Sequence, residues 1–378
     1  MNQAVAQGLD GVVAASTRLS LVDGEQGRLV LAGYDVEEIA PRASFEEVCF
    51  LFWQGRLPAN SELDLLKERL ARRRALPPAA LGILREAARS RAPVMDAVRM
   101  AVSTLSLGRE EEPGDDALTA VAAIPCIVGS YWRLLNDREP VPALEELGHA
   151  AHFLHQVFGE IPSPEQARGL ETYLNTVCDH GFNASTFTAR VIVSTQSDII
   201  SAVTGAVGAL KGPLHGGAPG PALDMVLEIG SPDRADAFIT AKLSRGERLM
   251  GFGHRVYRVR DPRADILAAA AERFYTTAGD REMYQLARAV ESTALRLLAE
   301  HKPGRRLDTN VEFYTALLLH GLGLPTELFT PAFAVGRMLG WTAHCLEQLK
   351  DGRLIRPQSR YVGEAGLRFV TLDQRSVG

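Results

Sequence analysis

Between Ala184 and Leu210 the chain carries only two charged residues, Arg190 and Asp198, in 27 positions. A stretch apolar on nearly every side cannot be a surface helix, whose polar face would return with a period near 3.6 residues. It must run as a helix or helix pair through the middle of a large helical core or along a subunit interface. Gly212-Pro213-Leu214-His215-Gly216-Gly217 stops it. The 378 residues are enough for two or three domains and for a core that needs no staples.

Most of the remaining chain also reads as helix. Ser44-Phe45-Glu46-Glu47 fits a capping box ahead of an apolar run, and Ser163-Pro164-Glu165-Gln166 fits a second. From Asn60 to Ala75, Leu63, Leu65, Leu66 and Leu70 are placed on one side and Lys67, Arg69, Arg72 and Arg73 elsewhere, as in a surface helix. Sheet is expected only near the start, where Arg18–Val22 and Arg28–Ala32 flank a turn-rich Asp23–Gly27 and suit a hairpin.

Charge and cysteine usage narrow the function. With 41 Lys+Arg against 46 Asp+Glu, the net charge of −5 argues against a general nucleic-acid binder, which needs a broadly basic face. Four scattered cysteines form no CxxC and no zinc spacing, which suits a reducing, cytoplasmic setting. The longest uncharged run is the 16 residues Ala117–Trp132, and a span needs about 20, so no membrane segment is expected. MNQAVAQGLDG lacks a basic region followed by an apolar one, so no signal peptide is expected either.

The average charge conceals a local excess. Residues 242–263 hold seven Lys+Arg against two acids, a net of +5, which leaves −10 for the rest. The run surrounds Gly251-Phe252-Gly253-His254 and alternates with Val256, Tyr257 and Val259, a pattern that favours a pocket for an anion over a plain solvated face. Among nine histidines, His180, His215 and His254 adjoin glycine, small polar residues or arginine. His149, His152 and His155 recur at i, i+3, i+6. They sweep about 600° of helix and no carboxylate joins them, so a metal role is not expected. His301, His320 and His344 are expected in plain helical or surface settings. No P-loop, GxSxG or HExxH motif occurs, and the GFG run lacks the third glycine of a dinucleotide fingerprint.

These segments, taken in order, resemble the citrate synthase family. The matching stretches are DGEQGRLVLAGYDVEEIA, DHGFNASTFTAR, LKGPLHGGA, LMGFGHRVYRVRDPRA, TNVEFYTALLL, FAVGRMLGWTAHCLEQ and LIRPQSRYVG, which cover essentially the whole chain. The length resembles the family's short bacterial and archaeal form. The resemblance implies a mainly α fold. A large helical domain would take residues 1–215 and 326–378, with the short N-terminal β-hairpin, and a smaller helical domain would take 216–325. It also implies a cytoplasmic homodimer with a shared active site, in which a C-terminal arm reaches the partner. The implied reaction condenses acetyl-CoA with oxaloacetate and then hydrolyses the citryl thioester. No metal or cofactor takes part, coenzyme A being carried by the substrate.

The same resemblance assigns roles. Arg263, Arg337 and Arg356 would clamp the oxaloacetate carboxylates, Arg356 from the other subunit. His180 would bind oxaloacetate and His254 would bind and polarise its ketone. Residues Leu249, Met250, Gly251, Phe252 and Gly253 would approach the adenine of coenzyme A. Arg258 would meet its phosphates, with Arg255 and Arg260 as further candidates. Phe333 would line the acyl end unless it is plain core packing. His215 fits the donor to the enol oxygen, and the base falls on Glu312 of Thr309-Asn310-Val311-Glu312, where the family normally has aspartate. Asp308 is taken as a loop or capping residue. 2-Methylcitrate synthase, which uses propionyl-CoA, and a weakly catalytic paralogue kept for sensing or assembly stay open as alternatives. The N-terminus leaves little room for the extension of NADH-regulated forms, and the two domains are expected to close over the substrates.

Overall fold

The nearly uncharged stretch forms two helices, Ala184–Val193 and Ile199–Leu210, in a computed structural model that describes residues 6–9, 11–108, 112–215, 219–254, 256–277, 280–304 and 306–375. Asn183 caps the first by accepting from Thr186 N–H at 3.1 Å, and Asp198 caps the second by accepting from Ser201 N–H at 2.7 Å. The pair packs on itself and on helix Phe329–Asp351. Val193, Ile200, Val203, Val207 and Leu210 are buried there, each contributing about 1.5–3 kcal/mol.

Among the described residues there are sixteen α-helices and one small sheet. The uncharged run at 117–132 extends into helix Pro113–Leu135. By length and composition that helix could cross a bilayer, yet 78% of its apolar window is buried inside the fold, as expected of a core helix. Both capping boxes form: Ser44 with Glu47 and Ser163 with Gln166 exchange side-chain and backbone hydrogen bonds. The surface helix runs Asn60–Ala71, short of Ala75. Leu66 and Leu70 are buried and Leu63 is half-buried, but Leu65 is 56% exposed, because it sits about 100° from Leu66 and off the stripe.

The hairpin forms with β1 Ser20–Asp23 antiparallel to β2 Arg28–Leu31, Ser20 opposite Leu31 and Asp23 opposite Arg28. A third strand, β3 Tyr34–Asp35, pairs with β2. Asp23 Oδ1 accepts from the N–H groups of Glu25 and Gln26 and so closes the turn. That turn reaches far along the chain, for Arg258 N–H donates to Gly24 O at 2.7 Å. A Cβ at Gly24 would lie 2.3 Å from Val256 O, so only glycine lets the two backbones meet.

The helices between Pro219 and Gly321 pack largely on one another. Pro262–Thr277 lies on Val311–Gly321 and also on Pro164–Val177, which links this group to the remainder of the fold. After Asp351 the chain is irregular and mostly exposed up to a short 3-10 helix at Leu372–Gln374, carrying Tyr361, Val362 and Phe369 into solvent.

Candidate active site

Three glycine-flanked corners and two helices bring one cluster of side chains together. His180 follows helix Pro164–Val177, and its Nε2 lies 3.0 Å from the phenol oxygen of Tyr257. Its ring meets His254 edge-on, with centroids 5.8 Å apart. Burial, together with the nearby Arg263, Arg337 and His254, pushes His180 well below the usual imidazole range and keeps it neutral.

His254 has a defined tautomer. Its Nδ1 accepts from the backbone N–H groups of Val256 (3.0 Å) and Tyr257 (3.1 Å), so the ring proton sits on Nε2. Nε2 lies 3.3 Å from Arg263 Nη2, itself a donor, which leaves the Nε2–H free for an incoming oxygen. Burial and Arg263 lower His254 to about 4, so a neutral N–H donor persists at neutral pH.

His215 has the opposite tautomer. Ser185 N–H donates to its Nε2 at 3.3 Å, and Ser185 Oγ lies 2.7 Å from the same atom. The proton is therefore on Nδ1. Ser185 Oγ also accepts from Trp341 Nε1–H at 3.0 Å, which anchors this relay to helix Phe329–Asp351. Burial first, then Arg337, lowers His215 to about 4. Gly216 and Gly217, part of the same motif, lie outside the described residues.

Glu312 occupies the first turn of helix Val311–Gly321, which Asn310 caps by accepting from Glu312 N–H at 3.0 Å. Asp308 is not the cap; its carbonyl accepts from Gly253 N–H at 2.8 Å. Burial raises the Glu312 carboxyl to about 7, Asp261 adding to the rise and Arg263 opposing it. Asp261 itself is fully buried. It accepts from Arg263 Nε (3.0 Å) and Nη2 (2.8 Å), and its Oδ2 also accepts from Val311 N–H at 3.2 Å. One carboxylate thereby ties the arginine to the helix that bears Glu312.

Arg337 is buried, with Nε donating to Val177 O at 2.7 Å and its guanidinium carbon 4.5 Å from the Phe333 ring centroid. Burial brings it down to about 10. Phe333 is half-buried beneath that guanidinium and packs against the core. Leu249–Gly253 runs beside 308–310: Phe252 bridges Thr309, Asn310 N–H donates to Gly251 O at 3.0 Å, and Asn310 Nδ2 donates to Gly253 O at 2.7 Å.

The basic run divides three ways. Arg258 is exposed, its backbone held by Gly24. Arg260 is not a free cation, since it pairs with Asp265 at 2.6 Å and with buried Glu291 at 3.0 Å. Arg255 lies outside the described residues. Arg356 is exposed on the C-terminal arm, lining a cavity of about 790 Å³ between residues 12–18 and 352–357.

The sequence reading did not single out several residues behind this cleft. His344, expected in a plain setting, is fully buried, with Nε2 3.2 Å from Asp179 Oδ1 and Nδ1 3.0 Å from Arg190 Nη1. Arg190 pairs in turn with Glu347 at 2.8 Å. A Cβ at Gly340 would fall 2.3 Å from Cys178 O, so this glycine lets the helix approach the turn that presents His180. The acid two positions before Arg263, inside a basic run, was the available sign of Asp261. Three further histidines are core residues: His149 stacks on Phe45, His152 Nε2 lies 3.2 Å from Cys126 Sγ, and His155 Nε2 lies 3.3 Å from Pro142 O.

Taken together, neutral imidazoles with fixed and differing tautomers, buried guanidinium groups and a carboxyl near neutrality can bind a dianion, polarise a ketone and move a proton off carbon. A family model described as "Citrate synthase, C-terminal domain" matches residues 8–358. The citrate synthase of Haloferax volcanii is 41% identical, covering 99% of this chain and all of the relative. The 2-methylcitrate synthase of Mycobacterium tuberculosis is 40% identical, covering 95% and 91%. Among solved structures, citrate synthase from Pyrobaculum aerophilum matches with a TM-score of 0.89 at 38% identity, covering 98% of this chain and 95% of the other. A Thermoplasma acidophilum citrate synthase in ternary complex with carboxymethyl coenzyme A and oxaloacetate matches with a TM-score of 0.86 at 31% identity, covering 98% and 100%.

Proposed function

The chain belongs to the citrate synthase family, and within it we propose that Glu312 and His215 enolise acetyl-CoA for condensation with oxaloacetate. It is an acyltransferase of that family. The observation that carries the reading is the opposition of tautomers. His215, fixed by Ser185, offers Nδ1–H to the thioester oxygen, while His254, fixed by Val256 and Tyr257, offers Nε2–H to the ketone oxygen. Both are neutral donors, so each meets developing negative charge without giving up a proton beforehand.

Glu312 takes the methyl proton as His215 stabilises the enol oxygen. The enol carbon attacks the ketone carbon while His254 and then Arg263 meet the charge on its oxygen. Water finally hydrolyses the citryl thioester, releasing citrate and CoA. Arg263 and Arg337, with Arg356 of the partner subunit, hold the carboxylates. His180 contributes to the same dianion site, Arg258 meets the coenzyme A phosphates, and Leu249–Gly253 borders the adenine. Phe333 shapes the acyl end from under Arg337.

We assign residues 1–215 and 326–378 to a large domain and 216–325 to a small one, closing over the substrates in a cytoplasmic homodimer. The exposed C-terminal arm supports the shared site, because Arg356 lies on it and away from its own chain's cleft. Propionyl-CoA is the second reading, favoured by the likeness to the M. tuberculosis 2-methylcitrate synthase. The test is free-thiol release with oxaloacetate plus either acyl-CoA. Faster turnover of acetyl-CoA is expected, since glutamate's extra methylene takes up space at the acyl end and one methylene discriminates about 10–200-fold. A preference for propionyl-CoA selects the second reading, and release with neither sinks both.

A further inference from the structure

One buried side chain touches three of the groups assigned to oxaloacetate. Tyr257 is 3% exposed. Its phenol oxygen is 3.0 Å from His180 Nε2, and its ring centroid is 5.6 Å from that of His180 and 4.8 Å from that of His254. The Arg263 guanidinium carbon lies 5.8 Å from the same ring, and the Tyr257 N–H donates to His254 Nδ1. From outside, the loop is held by the hairpin turn, because the next residue's N–H donates to Gly24 O.

The direction of the phenol bond follows from the surroundings. The groups facing the His180 ring are Tyr257, His254 and Arg263 from one side and Arg337 from helix Phe329–Asp351, while the adjacent Asp179 engages His344. Two of these are cations, so the ring stays neutral with a single proton. The ring also has a hydrogen bond to its own backbone, and we assign that bond's proton to Nδ1, the nitrogen that does not face the phenol. Nε2 is then a lone-pair acceptor, and the phenol is the donor that meets it. Burial raises the Tyr257 phenol above its ordinary value, so it keeps its proton across the working range.

We propose that Tyr257 is a positioning residue of the dianion site: its hydroxyl donates to His180 Nε2 and thereby fixes the plane and tautomer of that ring. The proposal rests on the citrate synthase reading for its kinetic consequence, but not for its geometry. Tyr257→Phe keeps the ring packing and deletes only the donor. Losing one such bond should raise the KM for oxaloacetate roughly 2–10-fold, with kcat and the KM for acyl-CoA nearly unchanged. Gly24→Ala displaces the loop from outside and should raise the same KM. The two changes together should fall short of the product of the single effects, since both act through the His180–Tyr257 contact.

The spectroscopic test needs no activity. With ¹⁵N-labelled histidine, wild-type Nε2 of His180 should resonate as an unprotonated acceptor and Nδ1 as an N–H, and Tyr257→Phe should shift Nε2 toward a free lone pair. A protonated Nε2 in the wild type overturns the proposal. An active wild type whose oxaloacetate KM and His180 signal are unmoved by Tyr257→Phe overturns it as well. If the wild type releases no thiol with either acyl-CoA, the functional reading fails, and the ring signal still decides the proposal.

Discussion

Replacing Glu312 by glutamine should have opposite effects on catalysis and on stability. The carboxyl is largely buried, and in the folded chain it rises from 4.5 to about 7. The folded state therefore holds a proton that the unfolded chain gives up between those values. Stability from this group is fully present below pH 4.5 and is lost as pH rises through about 7. A displacement of that size corresponds to about 3 kcal/mol, the cost of an ionised Glu312 in its cleft. Glutamine never ionises, so Glu312→Gln should match the wild type at pH 4 and exceed it at pH 8–9 by an amount approaching that figure. Thermal melts of the ligand-free proteins across this range measure the gap. Thiol release should meanwhile fall about 10²–10⁴-fold, the usual contribution of general acid–base catalysis. A gap that stays constant with pH would refute the argument, because it would mean that the carboxyl is no more desolvated than in the unfolded chain.

The remaining expectations concern other parts of the cleft. Ser185→Ala removes the hydroxyl bridging Trp341 and His215 but leaves the backbone donor, so kcat should fall roughly 10-fold with the oxaloacetate KM little changed; steady-state kinetics would contradict this if KM alone moved. Arg356→Ala and His215→Ala should each be nearly inactive alone. Mixed under conditions that exchange subunits, they should recover part of the wild-type rate, and no recovery would argue against a shared site. Small-angle scattering with and without oxaloacetate should report a more compact particle with ligand, and identical profiles would count against domain closure.

What could be read from the sequence was what depends on neighbours in the chain. The uncharged 184–210 stretch, both capping boxes and the hairpin rest on spacing within a few residues, and all formed. The two-residue strand Tyr34–Asp35 is too short to show alternation. Leu65 was misplaced because a stripe counted in leucines ignores the 100° that separates consecutive positions. The candidate site divides in the same way. His180, His215 and His254 stood out beside glycine, small polar residues or arginine, whereas Glu312 came only from the resemblance to the family. Their protonation states did not, because Ser185 meets His215 across 30 residues and Asp261 reaches Val311 across 50. Arg260 seemed free until helix Arg281–His301 brought Glu291 against it.

The bond from Arg258 N–H to Gly24 O joins positions more than 230 residues apart. At about 5–20 residues per second, a ribosome finishes the turn on the order of 10–50 s before its partner loop exists. Leu29 and Leu31 on the inner face of β2 are fully buried in the finished fold, so during that interval the nascent hairpin waits on apolar surface made later. The loop holding His254 and Tyr257 is also bonded to residues 308–310, so it is seated only once that later stretch has been made, which makes a competent cleft a late event of this chain's maturation. A bulky fusion at the N-terminus would therefore register first in oxaloacetate binding.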